Sequence, residues 1–270
     1  MEKITRRIRQ YGSFIWGILK NYTEHECAVR SASLAYYGLF SVFPLILFLF
    51  YLGSQFLSVE GTRETLNAHL EQLLPGNVAI LQAVIGQAIN VRRSAGIISG
   101  IGLIWTASAV FSVLELGMNV VWESTPRPFV RRRLLGAAVV VLLSVLFLIS
   151  VMLGPLLEFV LRNLGWNQAW VGPMVSFWAI TLTCFLLFRY FPSREIAWKP
   201  ALAGAVLAGI LIEVAKHIFA YYLGLAMTTY GYIYGSLAWV IALVFWTYLV
   251  GLLFFLGAEF GAALERQLAR

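Results

Sequence analysis

Six runs of apolar residues, each about as long as a bilayer-spanning helix, constrain this chain more than any other feature. They lie near 33–55, 96–121, 134–157, 172–191, 201–223 and 236–261. A helix needs about 20 apolar residues to cross the hydrocarbon core, and it satisfies its own backbone hydrogen bonds there. The whole composition agrees, since 60% of the residues are hydrophobic and only 12% are charged. The sequence therefore predicts an all-α, polytopic membrane protein with six transmembrane helices.

The distribution of lysine and arginine predicts the orientation of these helices. Fifteen of the 20 basic residues fall in the N-terminal arm, in the segments after the second and fourth runs, and in the C-terminal tail. Four fall in the other connecting segments, and Lys216 lies inside the fifth run. Cytoplasmic loops carry such an excess of positive charge, so both termini are predicted to be cytoplasmic. Because the basic residues are spread over four segments, they predict no nucleic-acid surface.

We interpret residues 1–270 as a single integral-membrane domain. A cytoplasmic amphipathic arm (1–32) precedes the six-span bundle (about 33–261), and a short cytoplasmic tail (262–270) follows it. Within the arm, isoleucines recur at helical spacing among basic residues, which predicts an interfacial helix on the anionic leaflet. In the first outer loop, about 58–94, two apolar stripes on either side of a Pro-Gly pair predict a short helical hairpin.

A stripe of polar residues follows one face of the second run. Its members recur at i, i+4, i+7 and i+11: Ser108, Ser112, Glu115 and Asn119. Lipid offers these groups no hydrogen-bond partners, so the stripe is expected to face the protein interior or a water-filled cavity. Two interpretations stay open. The residues either line a cavity or hold the bundle together by interhelical hydrogen bonds.

The fifth run carries an acid, a base and an imidazole within two helical turns. Glu213 and Lys216 stand at i and i+3, where they can pair on one face, and His217 flanks them. Pairing explains how the helix tolerates both charges, because an unpaired buried charge costs far more. Ionisable residues inside a membrane are functional candidates, and a brace such as Lys216 to Glu115 is the alternative. We assign His217 no role from the sequence.

Three further residues near helix ends are candidates for the lining of the same interior. Tyr37 and Ser41 lie one turn apart in the first run, just before Pro44, which is expected to kink the helix. Tyr234 and Gly235 belong to a glycine-aromatic stretch, 231–239, that we interpret as an outer loop. Its tyrosines suit the membrane interface.

The sixth run predicts a close helix contact and a salt bridge near its cytoplasmic end. Gly257 and Gly261 have the small-xxx-small spacing that lets two helices approach. Glu259 lies between them and is expected to pair with Arg30 or with an arginine of 131–133.

Sequence patterns for catalysis and for cofactor binding are absent. The chain has no Walker A motif, no HExxH and no GxSxG, and it contains no aspartate. Its two cysteines, Cys27 and Cys184, are too far apart in sequence and too different in setting to suggest a disulfide framework. We therefore expect no metal and no cofactor, and we expect that the protein is not an enzyme.

Taken together, the motifs resemble the YihY/BrkB family of bacterial inner-membrane proteins. They are ASLAYYGLFSVFPL (32–45), SVLELGMNVVWE (112–123), LIEVAKHIFAYYL (211–223), YIYGSLA (232–238) and LGAEF (256–260). The resemblance implies a six-span helical bundle in the bacterial inner (cytoplasmic) membrane, multi-pass, with cytoplasmic termini. It also implies a link to the export of lipid-like envelope precursors. The family was formerly labelled as a ribonuclease family. This sequence shows no set of metal ligands for phosphodiester cleavage.

Three functional hypotheses follow. The first is a transporter or flippase of an amphiphilic, anionic, lipid-type envelope substrate, which Lys216 would attract by its headgroup. The second is a non-catalytic membrane scaffold or assembly factor, in which the buried charges act only as braces. The third is an intramembrane enzyme, for which Ser112 is the one nucleophile we can name. Under each hypothesis, membrane lipids are the expected partners. Each hypothesis is also compatible with a homo-oligomer.

Overall fold

All regular structure that the computed structural model describes is helical. It describes residues 2–56, 94–132, 134–136, 168–234 and 237–268, and no strand occurs among them. In chain order the long helices of these residues are α1 (Glu2–Glu24), α2 (Cys27–Phe56), α3 (Ser94–Val121), α4 (Gln168–Tyr190), α5 (Trp198–Tyr234) and α6 (Leu237–Leu268). The predicted all-α class is confirmed.

Five of the six predicted runs coincide with helices α2 to α6. One predicted boundary is wrong, because α5 continues through residues 231–234, which the sequence pattern assigns to an outer loop. No proline interrupts this stretch, and its apolar and aromatic residues are compatible with a helix. The third run lies mostly outside the described residues, as do the predicted hairpin (58–94) and Gly235.

Two of the described helices are long and apolar enough to cross a membrane. They are Trp198–Leu225 within α5 and Leu237–Leu268, which is all of α6. Helix α5 has 37 residues, and a helix of that length measures about 55 Å, so it exceeds the hydrocarbon core of about 30 Å. Residues 213–217 fall near the middle of the spanning part.

The chain divides into two compact units. One contains Met1–Gly38 with Ser108–Arg270, and the other contains Leu39–Ala107. Our interpretation of 1–270 as one domain stays a prediction. Ser41 and Pro44 belong to the second unit, where α2 continues through Pro44 as a helix. A Cβ at Gly102 would lie 3.7 Å from the Pro44 ring, which is ordinary contact. All contacts described below lie in the first unit.

Glycines let α5 and α6 approach until their backbones touch. A Cβ added at Gly257 would lie 2.6 Å from Ala208 Cβ and 2.8 Å from the Gly204 carbonyl oxygen. A Cβ at Gly261 would lie 2.8 Å from the Pro200 carbonyl oxygen. Real Cβ atoms do not come so close, so only glycine fits. The sequence motif in α6 thus meets its partner glycine on α5.

The aromatic part of the buried core lies where the ends of α3 and α4 pack against α6. Trp122, just after α3, packs on Phe188 of α4 with ring centroids 5.6 Å apart. Phe188 in turn packs on Phe254 of α6 at 4.9 Å. Met118, Trp122, Phe188 and Phe255 are all essentially inaccessible. These buried aromatic side chains therefore contribute a large part of the apolar packing within the first unit.

Helix α1 lies against α6 and leaves a second apolar face exposed. Phe14 meets Phe260 edge to face, with ring centroids 5.9 Å apart, and Tyr22 donates a hydrogen bond to the Leu252 carbonyl at 3.2 Å. On the other side, Ile15 and Trp16 are 57% and 71% exposed. An exposed apolar face on a helix rich in basic residues is what a helix lying on a membrane surface needs.

Candidate functional site

Four side chains of α4 and α5 form a polar group that we name the α4–α5 cluster: Ser176, Glu213, Lys216 and His217. Lys216 Nζ donates to Glu213 Oε1 at 2.6 Å and to Ser176 Oγ at 2.8 Å. Ser176 Oγ also lies 3.2 Å from Glu213 Oε2, to which it donates. The His217 Nε2 atom is 3.6 Å from Glu213 Oε1. The predicted Glu213–Lys216 pair is therefore present, with a serine from α4 bridging it.

The two helices approach closely enough for this bridge because of Gly209. It lies on the same face of α5 as Glu213, one turn earlier, and a Cβ there would collide with the Thr181 hydroxyl of α4. The missing side chain lets α4 pack against the polar face. Sequence reasoning did not find Ser176, since a single serine in an apolar helix carries no spacing signal.

In the α4–α5 cluster, the acidic side chain is less exposed than the two nitrogen-bearing side chains. The Glu213 side chain is only 14% exposed, whereas the Lys216 side chain is 38% exposed and that of His217 is 67% exposed. The carboxylate is thus the inner group and the two nitrogen-bearing side chains are the outer ones. Any ligand that reaches the cluster meets Lys216 and His217 first.

The polar stripe of α3 makes a different set of contacts. Ser112 donates to the Ser108 carbonyl of its own helix at 2.7 Å, and both serines are buried. Glu115 is fully buried and forms a salt bridge with Arg127, whose Nη1 lies 3.1 Å from its Oε1. Asn119 Nδ2 donates to the same oxygen at 3.3 Å. The stripe faces inward, as predicted for groups that lipid cannot satisfy.

Asn119 and Arg127 extend this network to the chain after α4. Asn119 Oδ1 accepts hydrogen bonds from the Ser193 backbone N–H at 2.7 Å and from the Ser124 hydroxyl at 2.6 Å. Arg127 donates to the carbonyls of Phe191 at 2.7 Å and Pro192 at 3.2 Å. Asn119 and Arg127 therefore connect the segments after α3 and after α4 to the end of α3.

The structure gives Glu115 and Lys216 separate partners. Glu115 is paired with Arg127, and Lys216 is paired with Glu213 and Ser176. The brace that we considered between Lys216 and Glu115 is replaced by these two local pairs. Arg127 can reach Glu115 because the chain turns after α3, where Glu123 adopts a positive φ of 49°.

Glu259 of α6 is buried in a third network, with partners other than the arginines we expected. It pairs with the His25 ring, and Arg266 Nη2 lies 3.6 Å from its Oε2. Arg30 instead donates to the His25 carbonyl at 2.9 Å. The turn between α1 and α2 directs His25 towards α6. Burial and the nearby Glu259 carboxylate raise the pKa of the Cys27 thiol to about 12.

The remaining candidates are not brought into the α4–α5 cluster by any contact that we describe. Tyr37 is 37% exposed on α2, where its ring meets that of Tyr36. Tyr234 ends α5 as a helical residue. Within the described residues, no group of three histidine, cysteine or acidic side chains could hold a metal ion.

An apolar groove lies between α5 and α6, on the opposite face of α5 from Glu213. Its volume is about 840 Å³, and Leu211, Ala215 and Ile218 line its α5 wall. Leu211 and Ala215 lie about half a turn from Glu213 on the helix, whereas Ile218 follows His217 directly in the chain. The groove is therefore centred on a different face of α5 from the Glu213–Lys216 pair.

Sequence comparison assigns the chain to a family. The profile described as Virulence factor BrkB matches residues 18–270. The chain belongs to the BrkB family. The match includes α2 to α6 and thus every residue of the networks described above. Together with the apolar spanning helices, it establishes a helical membrane protein of this family.

Several bacterial proteins resemble this chain over most of its length. The UPF0761 membrane protein of Chlorobium phaeobacteroides is 28% identical over 94% of this chain and 57% of its own length. The UPF0761 membrane protein of Rhodospirillum centenum is 31% identical over 87% of this chain and 53% of its own. The Bacillus subtilis protein YfkH, whose name describes it as ribonuclease-like, is 27% identical over 94% and 96%.

The chain thus spans little more than half of the two UPF0761 relatives and nearly all of YfkH. No solved structure matches it.

Proposed function

We propose that this BrkB-family protein moves an amphiphile with an anionic headgroup across the membrane, and that the α4–α5 cluster contacts the headgroup. One observation carries the proposal. Lys216 lies near the middle of a spanning helix, and its side chain is 38% exposed although it is paired with Glu213. A charge at membrane depth is costly, so an ionised group held open there points to a ligand or ion path.

The arrangement of the cluster favours an anion over a cation. A lysine ammonium has three N–H donors, and Glu213 and Ser176 take two of those of Lys216. The third donor is left for a phosphate or carboxylate oxygen. Glu213 sits deeper and holds Lys216 in place, and the acyl chains of the substrate would stay in the surrounding lipid.

The α3 stripe supports a narrower role than the one its sequence pattern predicted. Ser112 bonds its own helix, and Glu115 and Asn119 join the connecting segments. We propose that these residues hold the first unit together while the α4–α5 cluster contacts the substrate. Tyr37, Ser41 and Tyr234 stay candidates for the lining of the route.

We also propose the six-span topology, with both termini on the cytoplasmic side of the bacterial inner membrane. Contacts between the predicted cytoplasmic segments support it. Arg194, after α4, bonds Glu265 near the end of α6, and Arg266 bonds Glu123, after α3, at 2.7 Å. Three segments that charge counting assigned to one side therefore meet at one end of the first unit.

Replacing Lys216 tests the proposed function. We expect Lys216→Gln to lower the translocation of fluorescent phosphatidylglycerol in proteoliposomes about tenfold, because a charge-assisted hydrogen bond contributes about 1.5–3 kcal/mol. The assay would follow dithionite quenching of the label from the outer leaflet. Lys199→Gln is the matched control, since Lys199 is an exposed lysine at the start of the same helix.

Two results would contradict the proposal. One is a wild-type protein that does not accelerate translocation of an anionic lipid above empty liposomes. The other is a Lys216→Gln protein that inserts normally and translocates as fast as the Lys199→Gln control.

A scaffold or assembly factor is the second candidate. The observation that favours it is the buried Glu115–Asn119–Arg127 network, which joins two connecting segments to α3. A scaffold predicts a reproducible protein partner after crosslinking in cells, with no lipid movement in liposomes. Wild-type translocation that depends on Lys216 would exclude a scaffold as the whole function.

We propose that the protein is not an enzyme and binds no nucleic acid. Ser112, the one nucleophile that we could name, is buried and donates its hydroxyl to the Ser108 carbonyl. The name of YfkH suggests RNA cleavage, but that hydroxyl has no described base beside it to activate it.

A further inference from the structure

His217 belongs to the α4–α5 cluster, but the proposed contact of Lys216 with the headgroup does not explain why an imidazole is present there. It is the most exposed member of the α4–α5 cluster, with 67% of its side chain accessible, and it lies near the middle of the spanning part of α5. Its Nε2 atom is 3.6 Å from Glu213 Oε1, beyond a normal hydrogen bond. The described residues give this ring one ionic contact, with Glu213, and no hydrogen bond.

Charge balance in the cluster limits what can bind there. Glu213 and Lys216 form a neutral pair, and a neutral His217 adds no charge. A headgroup with one negative charge would leave the site with a net negative charge at membrane depth, where unbalanced charge is costly. One proton taken up with the headgroup would restore neutrality.

Of the three titratable groups, only His217 is placed to accept that proton. Lys216 already carries its charge, and both oxygens of Glu213 accept hydrogen bonds, from Lys216 and from Ser176. Among the described residues, α4 contributes to this face the hydroxyls of Ser176 and, beside Gly209, of Thr181, and neither hydroxyl is an ionisable base. Helix α6 packs on the other side of α5. The imidazole is also the group that a ligand or a proton reaches first.

We propose that His217 takes up one proton when the α4–α5 cluster binds a headgroup with a single negative charge. The imidazole gains the proton from solvent, both ring nitrogens then become donors, and the oxyanion lies between His217 and Lys216. Anion and proton therefore bind together and leave together. The inference rests on the proposed function, because it concerns the same site. The ligands that it predicts are headgroups with one negative charge, either a phosphodiester or a carboxylate.

Titration calorimetry on the full chain in nanodiscs tests this coupling. The probe is dihexanoyl phosphatidylglycerol, and the binding enthalpy is compared in buffers with different ionisation enthalpies. We expect about one proton taken up per lipid bound, and an affinity that weakens as pH rises, by up to about tenfold per unit. Dihexanoyl phosphatidylcholine, with no net charge, is expected to cause no proton uptake.

Two variants assign the proton to His217. His217→Gln keeps a polar side chain but cannot become charged, so proton uptake should fall to near zero and binding should weaken about tenfold. His217→Arg is always charged, so it should bind the lipid tightly without proton uptake and without pH dependence. Because the side chain is exposed, both variants are expected to fold.

The outcomes separate this inference from the proposed function. Wild-type binding without proton uptake would overturn the inference, and so would uptake that persists in His217→Gln, since Glu213 would then accept the proton. Coupled binding without translocation in liposomes would leave the inference standing and would contradict the transport proposal. Replacing the lipid by decanoate distinguishes the two headgroup chemistries. Coupled binding of either supports the inference, and binding of neither overturns it.

Discussion

Arg127→Met should lower the free energy of unfolding by about 3–5 kcal/mol, which is the usual cost of leaving one member of a buried ion pair alone. Glu115 is fully buried, and Arg127 lies 3.1 Å from it. The same guanidinium also satisfies the carbonyls of Phe191 and Pro192, which would lose their donors. Methionine keeps much of the side-chain volume, so the loss reports the charge and its hydrogen bonds.

The measurement is equilibrium unfolding of the purified protein in detergent, followed by circular dichroism. Arg131→Met is the matched control, because Arg131 is exposed in the same connecting segment, and it should change stability by less than about 0.5 kcal/mol. The double variant Glu115→Gln with Arg127→Met removes both charges and should recover part of the loss. Equal effects of Arg127→Met and Arg131→Met would show that the pair contributes little.

Gly257→Val should destabilise the packing of α5 on α6 by about 1–3 kcal/mol, the usual cost of overpacking. Even a single Cβ at this position would lie 2.6 Å from Ala208 Cβ and 2.8 Å from the Gly204 carbonyl oxygen. Both groups are backbone or Cβ atoms of the neighbouring helix α5, and they cannot rotate away. The helices would have to separate, and the contact would be lost along its length.

Gly224→Val is the control for this substitution, because Gly224 lies on the partner helix α5 and nothing lies within 4 Å of a Cβ there. It should be neutral in the same unfolding measurement. If Gly257→Val unfolds at the same denaturant concentration as wild type, the close glycine contact does not hold α5 and α6 together.

Local sequence patterns predicted those features that lie within one helix. The i, i+3 spacing of Glu213 and Lys216 is enough to predict their pairing, because helix geometry alone brings the two side chains together. The spacing of Gly257 and Gly261 similarly predicts a face that tolerates a close neighbour. The identity of that neighbour required the three-dimensional structure.

Contacts made across a turn or between two helices could not be predicted from residue spacing within one helix. Arg127 reaches back to Glu115 across 12 residues because the chain turns after α3, and no periodicity encodes that turn. Ser176 joins the α4–α5 cluster only because Gly209 admits α4 to that face. His25 displaced Arg30 as the partner of Glu259 for the same reason, a turn between two helices.

Several arginines that set the predicted orientation also hold the first unit together. Arg127, Arg194 and Arg266 each bond a residue of another segment at the end that we predict to be cytoplasmic. The same arginines therefore contribute to the predicted orientation and to the contacts between segments. Substituting them in a topology experiment would alter stability as well as orientation, so the lysines of α1 are better choices.

Photocrosslinking in liposomes tests most directly the claim that a headgroup contacts α4 and α5 at mid-membrane. The probe is phosphatidylglycerol with a photoactivatable headgroup, and adducts are mapped by mass spectrometry of the wild-type protein. We predict adducts concentrated at Ser176 and at residues 213–217, which disappear with excess unlabelled phosphatidylglycerol. Adducts confined to the helix ends, or spread evenly and insensitive to competition, would contradict the account.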